Sequence, residues 1–160
     1  MLKLVTSFKD LDIRQLVRVY EETLNALGAD EGFRQLQTEQ DFYDYLKEFF
    51  HTYGGKYALW VIDGRYCSAL RLEVYRDGFL ISGLETALDS RHRGYATSLV
   101  RSLIHHLSDT DCRKLYSHVD KGNAASLAVH EACGFERILE YAVYLDGSVY
   151  QSSCTFCLAL

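Results

Sequence analysis

The sequence predicts a mixed α/β fold, about seven strands in one sheet with four helices, and three observations carry that reading. Residues 56–88 show strand signals punctuated by two-residue turns. Residues 84–100 run from a strand through a basic turn into an amphipathic helix. After them a short strand, a helix and a closing hairpin follow in turn. With 160 residues, 48% of them apolar, the chain suits a single domain over 1–160 with a sizeable core.

Taken in order, residues 3–6 are short and apolar, a first strand. Asp10 reads as the N-cap of a helix whose apolar stripe is Leu11, Leu16, Val17, Tyr20, Leu24 and Leu27, with Gly28 as its stop. Residues 29–37 are a loop or short helix. Thr38, with Asp41 three residues on, opens a second helix with the stripe Phe42, Tyr45, Leu46 and Phe49. Gly54 and Gly55 end it. Residues 56–62 are aromatic and β-branched, Asp63-Gly64 turns, 65–75 returns, Asp77-Gly78 turns again and 79–88 follows, an antiparallel meander. Residues 97–107 form a helix with Leu99, Val100, Leu103, Ile104 and Leu107 inward. His105 and His106 lie at its solvated end. Residues 115–119 are a strand that must cross over to lie parallel to the last meander strand. Residues 123–133 are a helix stopped by Gly134. Residues 137–145 and 149–158 close the chain as a hairpin around Asp146-Gly147.

Composition excludes some functions. Net charge of −5 argues against a nucleic-acid partner for the surface as a whole. No apolar run approaches the roughly 18 residues of a membrane span, and the amino terminus lacks the long apolar stretch of a secretory signal, so the expected location is cytoplasmic. Five cysteines without such a signal argue against a disulfide framework. Cys154-x-x-Cys157 falls in a strand, which sends the two thiols to opposite faces and disfavours a redox or metal pair. No metal site is expected.

The chemistry concentrates in Arg91-His92-Arg93-Gly94-Tyr95-Ala96-Thr97. A helix N-terminus leaves backbone N–H groups unpaired and carries partial positive charge, so it cradles anions. Gly94 removes a Cβ that would obstruct close approach, and the two arginines add charge. Downstream, Asn123 opens a helix that ends in Gly134-Phe135 and carries Ser126 and His130. Asn123 is at the least a plain N-cap, and a lone helix histidine is as readily a packing residue as a functional one.

Two of these stretches together resemble the GNAT N-acetyltransferase superfamily. Arg91-x-x-Gly94-x-Ala96 resembles its acyl-CoA signature, Gln/Arg-x-x-Gly-x-Gly/Ala. Asn123 with Gly134-Phe135 resembles its second motif, and the element order agrees over nearly the whole chain. The resemblance implies a fourth and a fifth strand that splay apart, residues 79–88 and 115–119 here, with the pantetheine arm of acetyl-CoA between them. It assigns cofactor contacts to Thr86, Ala87, Leu88, Arg91, His92, Arg93, Gly94, Tyr95, Ala96, Thr97, Asn123 and Ser126. It implies acetyl transfer from acetyl-CoA by direct attack of a primary amine, on a small molecule or a peptide.

Such a reaction needs three things. The ammonium, with a pKa near 10.4 for a lysine-like amine, must lose a proton. The oxyanion needs donors, which the resemblance places on backbone amides of residues 85–88. The thiolate, with a reference pKa near 8.5, takes up a proton. Glu85 beside the bend is the candidate base, or else a solvent-facing strand glutamate; Glu73 and His118 are weaker candidates. His130 is the departure, standing where many relatives carry a tyrosine that protonates the thiolate. A non-catalytic acyl-CoA-binding module on the same fold is therefore the alternative. An unrelated nucleotide binder is disfavoured, since neither a P-loop nor a dinucleotide fingerprint is present. The tyrosine-rich final hairpin offers a surface for a homodimer.

Overall fold

In chain order, strand β1 (Leu2–Val5) leads through a 3-10 turn (Phe8–Asp10) into helices α1 (Ile13–Val19) and α2 (Glu21–Ala29). The computed structural model describes residues 1–29 and 39–160. Helix α3 (Glu39–Thr52) follows, then the meander β2 (Lys56–Ile62), β3 (Arg65–Tyr75) and β4 (Gly78–Thr86). After it come α4 (Tyr95–Ser108), β5 (Lys114–Asp120) and α5 (Ala124–Ala132). The chain ends in β6 (Glu136–Leu139), β7 (Ala142–Val143), β8 (Val149–Tyr150) and β9 (Ser153–Ala159).

Seven strands pair in the order β1-β2-β3-β4-β5-β9-β6, antiparallel except for β4 with β5. Alternation along β2 shows how the sheet is sandwiched. Tyr57 and Leu59 pack with α1 and α3, while Ala58 between them packs with α4. On α4, Leu99, Val100, Leu103 and Leu107 are all buried. Each such side chain is worth about 1.5–3 kcal/mol against exposure, so this one stripe is enough to fix the helix on the sheet. His105 and His106 are exposed at its end, as expected. Cys154 packs on the α4 face and Cys157 against Tyr75, Leu80 and Tyr116 on the other, so the two thiols do part.

Four sequence expectations need correction. The first helix is capped by Asp12, whose Oδ1 accepts from the Gln15 N–H at 3.2 Å, while Asp10 lies in the 3-10 turn before it. That helix is also two helices, which makes five among the described residues. It breaks at Tyr20, whose buried ring and its hydroxyl, bonded to the Gly83 carbonyl at 2.6 Å, tie the residue to β4. The second helical segment runs one residue past Gly28. The third meander strand stops at Thr86, and Leu88 is an exposed residue of a 3-10 turn (Leu88–Ser90). The closing hairpin is broken. β6 and β9 pair with a register shift at Arg137/Leu139, and β7–β8 form a separate two-stranded piece. The expected loop over 29–37 and the Thr38 helix start lie outside the described residues, apart from Ala29, which ends α2.

The feature that makes a site is the parting of β4 and β5. They pair only at Phe79↔Leu115, Leu80↔Tyr116 and Ile81↔Ser117. Gly78 permits the start of this pairing, because a Cβ there would strike the Lys114 carbonyl. Beyond Ile81, β4 carries a bulge, where Gly83 and Leu84 together face Leu70 of β3, and Gly83 has φ +56°. A bulge bends its strand and raises the local twist, which turns β4 away from β5. The two strands splay as expected.

Candidate active site

Two cavities open in this splay. The larger, about 510 Å³, lies between α2, the end of β4, the basic turn and α5. The smaller, about 200 Å³, lies between β4, β5 and α5. Leu84, Glu85, Asn123 and Ser126 line both, so the pair form one cleft running through the gap between the strands.

The basic turn has the backbone of an anion cradle. His92 (φ +60°) and Gly94 (φ +73°) are both left-handed, and for His92 that conformation is uncommon and costly. Gly94 is the N-cap of α4 and provides no side-chain cap, so the first N–H groups of a 14-residue helix are left to solvent or ligand. A Cβ built at Gly94 would meet nothing within 4 Å. The space over the turn is open, as a cradle for pyrophosphate requires.

Of the twelve residues assigned to the cofactor, Thr86, Arg91, His92, Ala96, Asn123 and Ser126 line the larger cavity. Arg93, Gly94, Tyr95 and Thr97 belong to the turn and first helical turn that carry His92 and Ala96. Ala87 and Leu88 stand apart from the cleft. Ala87 is buried among α1 and α3 residues, and its N–H donates to the Cys67 carbonyl at 3.0 Å. Its amide is thus spent. The α5 N-terminus differs from that of α4: Asn123 Oδ1 accepts from the Ser126 N–H at 3.0 Å.

Glu85 faces the cleft from the β4 wall. Its carboxylate accepts a hydrogen bond from the Thr23 hydroxyl, and its backbone carbonyl accepts from Ser68 Oγ at 2.6 Å. Burial raises its pKa above the ordinary glutamate value and is the largest influence. The Thr23 hydrogen bond and the Arg91 charge pull the other way; Glu22 adds to the rise, and Arg71 opposes it. Glu73 on β3 accepts from Ser82 Oγ at 2.5 Å.

His130, on the opposite wall, is buried against Phe135 and Phe156, with ring centroids at 5.2 and 5.8 Å. Its Nδ1 lies 2.8 Å from the Ser126 carbonyl, which can only accept, so Nδ1 carries the proton. Nε2 is then a bare lone pair, and it is buried without a partner. Burial lowers the pKa, so the ring is neutral at physiological pH. His118 also borders the smaller cavity, but both its nitrogens are engaged, by the Val143 carbonyl and Thr155 Oγ1, each at 3.1 Å.

Sequence reasoning missed Glu22, Thr23, Leu84, Ala125 and Val129, which complete the larger cavity. Ala125 and Val129 share a helix face with Ser126 and were open to inference. Glu22 and Thr23 carry no local signal, because only the docking of α2 brings them to the cleft. Among the described residues no cluster of metal-ligating side chains occurs, and no helix is long and apolar enough to cross a membrane.

Comparison with known proteins agrees with this geometry. The sequence profile of the acetyltransferase (GNAT) family matches residues 15–135. No curated protein matches by sequence. A ribosomal-protein-alanine N-acetyltransferase from Brucella melitensis superposes with a TM-score of 0.71 at 18% identity, covering 100% of this chain and 99% of that one. A ribosomal alpha-N-protein acetyltransferase, RimL, in complex with coenzyme A gives 0.74 at 15% identity, covering 99% and 94%. The paia N-acetyltransferase of Thermoplasma acidophilum, also in complex with coenzyme A, gives 0.67 at 12% identity, covering 100% and 99%. At these identities the structures show a shared fold.

Proposed function

The chain belongs to the GNAT acetyltransferase family, and from that premise we propose that it moves an acetyl group from acetyl-CoA to the primary amine of a small molecule or a peptide. The observation that carries this reading is the cleft itself. An uncapped helix N-terminus with open space over Gly94 stands at one end, and a carboxylate of raised pKa lies where β4 and β5 part.

Acetyl-CoA supplies the acetyl group as a thioester. The residues that would hold its pyrophosphate are the N–H groups from His92 to Thr97 together with Arg91, and its arm would run past Asn123 and Ser126 into the splay. Glu85 takes the proton from the acceptor ammonium, directly or through one water, and frees the nitrogen lone pair for attack on the carbonyl carbon. A raised pKa makes a carboxylate a stronger base toward the ammonium. The C–N bond forms, the C–S bond breaks, and the proton that the nitrogen sheds on becoming an amide passes through water to the departing sulfur. His130 is a poor source for that proton, since it is neutral and its one N–H is held by the Ser126 carbonyl. Its Nε2 is buried without a partner beneath Phe135 and Phe156, so the ring acts as packing of the α5 wall.

The neutral His130 is also what favours the second reading, an acyl-CoA-binding module without turnover. The two separate on one assay: release of free thiol from acetyl-CoA over a panel of peptides with amino-terminal alanine, polyamines, aminoglycosides and amino acids. Turnover with any of them establishes the enzyme. Tight binding of CoA with no turnover across the panel leaves the binding module.

A further inference from the structure

Helix α2 opens with Glu21, Glu22 and Thr23. Acidic residues in a first helical turn are favoured by the helix dipole alone, but two of these three side chains do something more specific. Thr23 donates to Glu85. Glu22 lines the larger cavity and pairs with the guanidinium of Arg91, whose Nε donates to the Thr86 carbonyl at 3.2 Å. The larger cavity therefore holds two carboxylates, Glu22 and Glu85, against one arginine. That arginine immediately precedes the cradle of the basic turn, in which Arg93 also lies, and of the two it is the one that lines the cavity. A pyrophosphate seated on the turn and the Glu22 carboxylate thus call on the same guanidinium.

We infer that Glu22 is an internal competitor for Arg91 and, once the cofactor's phosphates have drawn Arg91 away, the carboxylate that recognises the ammonium group of the acceptor. This rests on the function proposed above. The consequence is a coupling between the two substrates. Cofactor binding strips Glu22 of its counter-charge, leaving a carboxylate next in sequence to the residue that holds the base. A cationic amine then restores the balance. By linkage, the amine strengthens cofactor binding by the same factor. The acceptor class that fits is a protonated primary amine, such as a peptide amino terminus, rather than a neutral nucleophile.

The size of the effect is bounded by exposure. The Arg91 and Glu22 side chains are 36% and 58% exposed, so water weakens their attraction. Exposed pairs of this kind change an equilibrium by about two- to fivefold. Their influence fades with salt as the screening length falls to roughly 3 Å at 1 M.

The experiment is calorimetric titration of CoA into the wild type, Glu22→Gln and Glu21→Gln at low and high ionic strength. Glu21 is exposed on the same turn of α2 and outside the cavity lining, so its substitution makes the same change in net charge without touching the pair. The expected result is that Glu22→Gln binds CoA about two- to fivefold tighter at low salt. Glu21→Gln should match the wild type, and the gain should vanish at high salt. Equal affinity of wild type and Glu22→Gln overturns the inference, and so does an equal gain in both variants. Failure of the wild type to bind CoA at all overturns the proposed function and takes this inference with it. For the acceptor, a peptide with amino-terminal alanine is the probe. Glu22→Gln should raise its KM at saturating acetyl-CoA while kcat stays within about twofold. An unchanged KM, or no acetylation of the peptide, overturns the acceptor half.

Discussion

The two walls of the cleft are built on opposite principles. The β4 wall is polar and irregular: a bulge at Gly83, a strand end at Thr86, and Glu85 held by Thr23 from another element. The α5 wall is regular and spent: its N-terminus is capped by Asn123, and His130 is sealed under two phenyl rings. Burial acts on both titratable groups and drives both toward neutrality, but the chemical consequences are opposite. A carboxyl whose pKa rises becomes a stronger base. A histidine whose pKa falls loses the protonated form that would make it an acid. On the proposed mechanism, proton removal belongs to the β4 wall and the α5 wall contributes shape.

The sharpest way to break that contrast is Glu85→Gln. Loss of a positioned base should lower kcat by about 10²–10⁴-fold and abolish the acidic limb of the pH–rate profile. The same substitution should stabilise the fold near neutral pH, and the sign follows from linkage. The unfolded glutamate ionises near its ordinary value of 4.5, and the folded one only at higher pH. Between the two, the folded state holds a proton that the unfolded state has released. Stability from this group therefore falls as pH rises through that window and stays lower above it. Thermal melts of both proteins at pH 4 and pH 7 check this: the advantage of Glu85→Gln should appear at pH 7 and shrink at pH 4. Turnover near that of the wild type would move the base elsewhere, with Glu73 next in line.

His130 tests the other wall. Removing its ring leaves a void under Phe135 and Phe156, so His130→Ala should cost about 2–4 kcal/mol of stability. Its kcat should fall by less than about tenfold, because general-acid catalysis would be worth 10²–10⁴-fold. His130→Tyr, which supplies a phenol that is protonated at neutral pH, should keep or raise kcat. The pH dependence runs opposite to that of Glu85. The folded pKa lies below the unfolded value of 6.5, so the contribution is complete above 6.5 and is lost as pH falls below it. A drop of a hundredfold or more in kcat for a folded His130→Ala would return the acid role to this residue.

How far each wall was legible in the sequence follows the same division. Periodicity placed α4, α5 and the meander within a residue or two, because an apolar stripe that is buried has to recur at the period of its element. The motifs around Arg91 and Asn123 marked the cleft through their resemblance to the GNAT signatures, beyond the anion cradle that the basic turn offers by itself. What the sequence hid was set by tertiary docking. Tyr20 breaks its helix because its ring and hydroxyl are tied to β4. Glu22 and Thr23 reach the cleft through the docking of α2 beside β4. The spent amide of Ala87 depends on its bond to Cys67 across the sheet. The burial of His130 needs Phe156, which is 26 positions away in the sequence.

The smallest effect expected separates the two helix N-termini that face the cleft. At α4 the donors are unspent and the N-cap is a left-handed glycine with open space above it. At α5 the N-cap oxygen is already bonded to the Ser126 N–H. Gly94→Val places a β-branched side chain in the space the pyrophosphate would need, at a φ that suits only glycine well. CoA affinity should fall by about tenfold, equivalent to ~1.4 kcal/mol. Asn123→Ala instead removes a cap, and about 1 kcal/mol of stability should go with it. For a chain of this length that is a melting shift of about 2–4 °C. Asn123→Ser, which keeps a capping oxygen, should recover most of that shift. CoA titrations and thermal melts on all three variants read the contrast directly. If Asn123→Ala weakens CoA as much as Gly94→Val does, while Asn123→Ser restores the melt but not the affinity, then the α5 terminus binds cofactor through the Asn123 amide. The division of labour between the two walls would then be wrong at this point.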